Sequence, residues 1–213
     1  MPLILHGSWR ATAPYRVRIA LHLKGLAFEN SPVDLRGGEQ RGEAYRALNP
    51  QALVPALETG DAIFTQSVAI LEWLEETRPE PPLLPPGAGD RAVVRAMAAI
   101  VACDIHPLNN LRVLQALSGL GFPMGSPEQR AWGAGWICDG FAALEPMVAR
   151  HGAGFAFRAA PSLADCCLIP QIWASSRFSV DMTPYPAVAA VAARAAAHPA
   201  FQAAHPDRQP DAK

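Results

Sequence analysis

Lysine is almost missing from this 213-residue chain. Only Lys24 and Lys213 are lysines, so sixteen of the 18 cations are arginine. Net charge is scarce too: 18 Lys+Arg stand against 19 Asp+Glu, a formal -1. That balance excludes the basic footprint of a nucleic-acid-binding protein and an acidic solvating tail. The 4 cysteines never fall in C-x-x-C spacing, which removes the common metal and dithiol motifs. Cys166 and Cys167 are adjacent, and neighbouring Cα atoms about 3.8 Å apart are too close for an ordinary disulfide. Four reduced, mostly buried thiols in a cytoplasmic protein are expected. Long apolar runs are lacking as well. Arg95 and Asp104 interrupt the best candidate for the roughly eighteen apolar residues a membrane span needs. The opening Met1-Pro2-Leu3-Ile4-Leu5-His6 has no basic segment followed by an apolar one, so no signal peptide and no membrane partner are expected.

What is present is core material. At 50% hydrophobic and 17% charged, the chain can build one large or two small domains. Two textures divide it. Over residues 1–84, Leu3-Ile4-Leu5 reads as a strand, and 14–24 carries Val17, Ala20, Leu21 and Lys24 at helical spacing. Pro14 suits a first helical position and Gly25 a helix stop. A second strand fits 27–34. Val54-Pro55-Ala56-Leu57 and Ala62-Ile63-Phe64-Thr65, joined by Gly60-Asp61, read as a hairpin. A helix follows from Ser67, with Ile70, Leu71 and Leu74 inward and Glu72, Glu75 and Glu76 outward. The order βαβαββα indicates a small mixed sheet covered by helices. Pro81 to Gly89 is Pro/Gly punctuation of the kind found in linkers. The remainder, 85–213, reads as all-helical. It contains a long helix over 91–115 kinked at Pro107. A second helix, 126–150, opens on Ser126-Pro127-Glu128-Gln129. A third is capped by Ser162 and Asp165, and a last one covers 187–197. Trp132, Trp136 and Phe141 have near-helical spacing and read as core or interface packing.

Several stretches carry a resemblance. They are Arg16-Val17-Arg18-Ile19-Ala20-Leu21, Ala47-Leu48-Asn49-Pro50, Val54-Pro55-Ala56-Leu57, Gln66-Ser67 and Leu74-Glu75-Glu76-Thr77-Arg78-Pro79. Further on come Asp104-Ile105-His106-Pro107-Leu108-Asn109-Asn110, Arg177-Phe178, Val180 to Pro186, and Arg208-Gln209-Pro210-Asp211. As an ordered set they resemble the zeta-class glutathione transferases, the maleylacetoacetate and maleylpyruvate isomerases. The Asn109-Asn110 context and Gln51 look closest to the bacterial maleylpyruvate isomerases. The resemblance implies a thioredoxin-like glutathione-binding domain over 1–84, an all-α domain over 85–213, a homodimer, glutathione as cofactor and a small dicarboxylate as substrate.

It also implies roles for single residues. A cis Pro55 would expose the backbone of Val54 as a short strand edge for an extended peptide such as glutathione. Gln66 and Ser67, at a helix start, hold the γ-glutamyl carboxylate. Gln51, His106, Asn110 and Arg112 complete the glutathione and pocket contacts, His106 and Asn110 sharing a helix face by their i, i+4 spacing. Arg10 and Arg177, across the domain cleft, bind the substrate carboxylates and stabilise developing negative charge. The family's Ser-Ser-Cys run at the first helix, which activates the thiol, is Ala11-Thr12-Ala13 here. Thr12 takes the second serine's place, leaving a direct Thr12 hydrogen bond and the helix dipole as the two means of favouring a thiolate. The family's Gly-Asp before the Ser162 box is replaced by Arg158-Ala159-Ala160, a change expected to loosen that loop. No cluster has metal-ligand spacing. The reaction implied is glutathione-dependent cis–trans isomerisation of a maleyl dicarboxylate. Two alternatives stay open: glutathione transfer to, or dehalogenation of, small α-halo acids, and a non-catalytic glutathione-binding protein.

Overall fold

Two parallel strands start the fold. β1 (Leu3–Gly7) pairs in register with β2 (Phe28–Pro32), and α1 (Thr12–Leu23) crosses between them. The antiparallel hairpin of β3 (Ala56–Glu58) and β4 (Ile63–Thr65) adds to the other side of β1, giving the order β2-β1-β3-β4. α2 (Glu43–Leu48) precedes the hairpin and α3 (Ser67–Thr77) follows it. The computed structural model describes residues 2–212, so Met1 and Lys213 lie outside the described residues. The chain forms two compact units, one running to Leu83 and resumed from Ala196, the other Leu84–Ala195.

In the first unit the apolar stripe of α1, Val17, Ile19, Ala20 and Leu21, is fully buried with Ile70, Leu71 and Leu74 of α3 and Leu57 of β3. Two corrections apply here. Pro14 is the third helical position of α1, still inside the turn whose N–H groups have no helical acceptor. Glu75 does not face outward; it is buried and ion-paired with Lys24 (Nζ to Oε2, 2.9 Å). A short helix, α9 (Pro199–Ala204), returns to pack on α1 and completes the unit.

The second unit is helical: α4 (Ala88–Ala99), α5 (Leu111–Gly119), α6 (Pro127–His151), α7 (Leu163–Ser175) and α8 (Pro186–Ala196). The single helix expected over 91–115 is broken rather than kinked. After α4 the chain makes a π-helical turn, Ile100–Ile105, then a 3-10 turn, His106–Leu108, before α5 begins. Pro107 has no N–H to continue the ladder, and Asn110 caps a new helix by accepting the Val113 N–H at 3.2 Å. The stretch Ala88–Gly119 is long and apolar enough, by length and composition, to cross a membrane. Its Val94, Met97, Val101 and Ile105 are buried, and α4 packs on α7, so this apolar face serves a protein core.

The Ser126 cap is present, its Oγ accepting the Gln129 N–H. Asp165 is wholly buried and accepts from the Ser162 N–H and hydroxyl and from the Ala156 N–H, all at 2.7 to 2.8 Å. Burial outweighs those donors and pushes its carboxyl up to about 6. The loop before this box is tied by hydrogen bonds. Arg158, at φ 63, receives two backbone N–H groups from Ala153 and Phe155 on its carbonyl, and its guanidinium pairs with Asp90 at 2.5 Å. Of the cysteines, Cys166 and Cys167 are buried, Cys138 is half-buried and Cys103 is exposed; all four are free thiols.

Candidate active site

Two polar rungs set the geometry of the first unit. Arg16 Nη1 donates to Ser67 Oγ at 3.1 Å. Eight residues further along both helices, Lys24 Nζ meets Glu75 Oε2 at 2.9 Å. The rungs are about 12 Å apart along each axis at 1.5 Å per residue. With two ties in the same register, α1 and α3 must run in the same direction, and their N-termini lie at the same end. Each helix start presents N–H groups without helical acceptors and the positive end of a dipole. The role of Arg16 cannot be read from its local sequence, because its partner lies 51 positions away.

At the start of α3, Gln66 adopts φ 66, a backbone state that costs a non-glycine residue about 1–3 kcal/mol. Its side chain does not cap the helix; Nε2 donates instead to Gln51 Oε1 at 2.7 Å. The first-turn N–H groups are therefore left to another acceptor. Beneath them sits a buried cation: Arg16 is 2% exposed and Ser67 5%. Such an arrangement is able to hold an anion. Nearby, Asn49 organises the loop that leads to Pro55. Its Oδ1 accepts the Gln51 N–H at 3.0 Å and its Nδ2 donates to the Leu53 carbonyl at 2.6 Å, where the Tyr45 hydroxyl also donates. The Val54–Pro55 bond is cis. Pairing of β3 with β4 starts at Ala56, so the backbone of Val54 stands just before the ladder.

At the start of α1, Ala11 is the N-cap and has no side-chain acceptor to offer. Thr12 and Ala13 supply the first two helical N–H groups, and Pro14 supplies none. The Thr12 hydroxyl is buried and without a hydrogen-bond partner. What this helix start offers is backbone N–H. Arg10, in the loop before it, is half-buried with its guanidinium 5.3 Å from the centre of the Trp9 ring. Burial pushes the Tyr15 hydroxyl up to about 12, so it stays protonated at neutral pH.

The second unit holds the remaining candidates. His106 lies in the 3-10 turn, Asn110 is the N-cap of α5, and Arg112 is exposed in its first turn. His106 and Asn110 therefore do not share one helix face as their spacing suggested. Trp132 Nε1 donates to the Leu108 carbonyl at 2.7 Å and fixes the turn between them. Arg177 is exposed on the 3-10 turn Ser176–Phe178, with its guanidinium 4.3 Å from the centre of the Trp173 ring. That turn is seated because Gly133 of α6 has no Cβ, which would otherwise fall 2.2 Å from two carbons of the Phe178 ring. Among the described residues, no group of three or more His, Cys, Asp or Glu is placed to hold a metal ion.

Residues 13–77 match the family model of the glutathione S-transferase N-terminal domain. A maleylpyruvate isomerase of Ralstonia sp is 47% identical over 210 residues, covering 97% of this chain and 98% of its own. The maleylacetoacetate isomerase of Pseudomonas aeruginosa is 47% identical, covering 97% of each. Among solved structures, a holo maleylpyruvate isomerase, described as a bacterial glutathione S-transferase in the zeta class, matches with a TM-score of 0.96 at 46% identity. The match covers 99% of this chain and 100% of that one. A maleylacetoacetate isomerase from Anaeromyxobacter dehalogenans with glutathione bound in its active site matches with a TM-score of 0.90 at 44% identity, over 100% of this chain and 98% of that one.

Proposed function

Because the chain belongs to the zeta-class glutathione transferases, we propose that it is a glutathione-dependent cis–trans isomerase of a small maleyl dicarboxylate, maleylpyruvate or maleylacetoacetate. The observation that carries this reading beyond kinship is the pair of parallel helix starts. One is built for a carboxylate over a buried arginine; the other is an uncapped pair of N–H groups suited to a thiolate.

Bound glutathione supplies the thiolate nucleophile whose reversible addition to the alkene allows rotation about the former double bond. The chain's own residues bind and orient. Gln66 and the α3 N–H groups take the γ-glutamyl carboxylate, with Arg16 holding Ser67 below. Gln51 is held in place by Gln66. The Val54 backbone, ahead of the β3 ladder, pairs with the peptide in extended form. Thr12 and Ala13 act through backbone N–H, and Ala11 leaves those groups uncontested. Loss of the family's serine is thus compatible with thiolate binding. Arg10 and Arg177 take the substrate's carboxylates and its developing negative charge. His106, Asn110 and Arg112 are assigned to the cysteinyl-glycine end or the pocket lining. The same reading makes the chain a homodimer, to be checked by sedimentation, and, with its four free thiols, cytoplasmic.

The test is turnover of maleylpyruvate and maleylacetoacetate by the purified chain, with and without glutathione. Glutathione-dependent loss of the cis substrate is expected. If glutathione binds and neither substrate is consumed, the isomerase reading falls and the binding-protein alternative replaces it; turnover of α-halo acids alone would favour the transferase.

A further inference from the structure

The motif Arg208-Gln209-Pro210-Asp211 has no part in the chemistry above, yet it ends against the loop that leads into α1. Asp211 Oδ2 accepts the Trp9 N–H at 3.0 Å, across 202 positions of sequence. The other side of that residue is held as well: Arg18 Nη2 donates to the Trp9 carbonyl at 3.0 Å, and its Nε donates to the Ala204 carbonyl at 3.1 Å. Arg18 is buried, and Asp211 is among the charges acting on it. Gln209 anchors the run. Its Nε2 donates to the carbonyls of Ala203 and His205, and its Oε1 accepts from Asn30 Nδ2 at 3.4 Å. The backbone of Trp9 is thus held from both sides by charged groups, Asp211 on its N–H and Arg18 on its carbonyl. Two residues after Trp9 comes the N-cap of α1.

We propose that residues 209–211 are a positioning element of the active-site loop, with Asp211 fixing the Trp9 peptide and through it Arg10 and the N–H groups that open α1. The proposal rests on the reading that this helix start holds the glutathione thiolate. Asp211 touches neither cofactor nor substrate; it orders the residues that do. A neutral side chain that keeps an acceptor oxygen should replace it, whereas one without an acceptor should not.

The experiment compares Asp211→Ala and Asp211→Asn with the parent chain. It measures hydrogen exchange of the Trp9 amide, the pH titration of bound glutathione thiolate by ultraviolet absorbance, and kcat and KM. Asp211→Ala is expected to open the Trp9 amide to exchange and to lower kcat about tenfold or more. The bound thiol pKa should rise by about one unit, the worth of a helix-terminus interaction. KM for glutathione should stay within about twofold, because the α3 carboxylate site is a separate contact. Asp211→Asn restores Trp9 protection and most of kcat. A parent-like thiol titration and kcat in Asp211→Ala overturns the proposal, as does a loss that Asp211→Asn fails to restore. If the parent chain isomerises nothing, the thiol titration and Trp9 exchange still decide for or against this role of Asp211.

Discussion

Replacing Glu75 by Gln removes one charge from the ion pair that ties the far ends of α1 and α3. The two side chains are 0% and 7% exposed for Lys24 and Glu75 respectively. All three Lys24 donors are used: Glu75 Oε2 at 2.9 Å, the Arg78 carbonyl at 2.7 Å and the Pro81 carbonyl at 3.0 Å. Glu75 Oε2 also accepts the Leu83 N–H at 2.9 Å, so the carboxylate closes the turn beyond α3. Glu75→Gln leaves the buried ammonium with neutral acceptors only. Breaking one side of a buried pair costs about 3–5 kcal/mol, against a total stability of about 5–15 kcal/mol for a typical domain. The loss should be visible in urea unfolding as a large fall in midpoint. Adding Lys24→Met to Glu75→Gln removes the orphaned charge and should recover part of the loss. It cannot recover all of it, because the Arg78 and Pro81 carbonyls lose their donor, at about 1–3 kcal/mol for each that stays buried. The double-mutant coupling should therefore exceed about 1 kcal/mol. A loss below 1 kcal/mol in Glu75→Gln, or simple additivity in the double variant, would refute the assignment of a buried, fully used pair.

Asp165→Asn tests the capping box through pH. With its folded-state carboxyl raised to about 6 from 3.8, the contribution of Asp165 is full below the unfolded value and is lost as pH rises through 6. Relative to Asp165→Asn, parent stability should fall by roughly 2 kcal/mol between pH 4 and pH 7, read from urea midpoints; a rise over that interval would contradict the burial argument. Gly133→Ala places a Cβ 2.2 Å from two carbons of the Phe178 ring. It should cost about 1–3 kcal/mol by overpacking and raise KM for the dicarboxylate by displacing Arg177, whereas unchanged stability would show that the ring moves freely. Ala11→Ser adds a cap that can accept the Ala13 N–H and donate its own proton to the thiolate. It should raise stability by about 1 kcal/mol and increase kcat, and a fall in kcat would show that the hydroxyl competes with the thiolate for that N–H.

The order of elements was legible because each was announced locally. Gly60-Asp61 marked the hairpin, Ser126-Pro127 and Ser162-x-x-Asp165 marked helix starts, and the apolar stripe of α3 gave its buried face. The break after α4 was also written in the chain. Asn110 is a cap residue just after Pro107, but the apolar periodicity on both sides of the proline reads as one helix, and a pattern of faces does not show where the ladder stops. The site was harder to read for a different reason. The residues that order it, Arg16, Asn49, Lys24 and Glu75, are polar and look like surface. Their burial depends on partners that the chain supplies elsewhere, 51 residues away for both rungs. By its spacing Glu75 groups with Glu72 and Glu76, yet only Glu75 sits where Lys24 can meet it.

The near absence of lysine then takes on meaning. In a chain that uses arginine sixteen times, Lys24 alone among the described cations is a lysine. Its surroundings call for a compact point charge with three divergent donors, here a carboxylate and two carbonyls from the turn that follows α3. A planar guanidinium presents its donors in a rigid fork and has a larger head to bury. The other rung carries it instead, where Arg16 reaches the Ser67 hydroxyl under the start of α3. The two cations joining the same pair of helices thus differ in kind because their acceptors differ in arrangement. That difference holds the two helix starts side by side, and the proposed chemistry depends on that alignment.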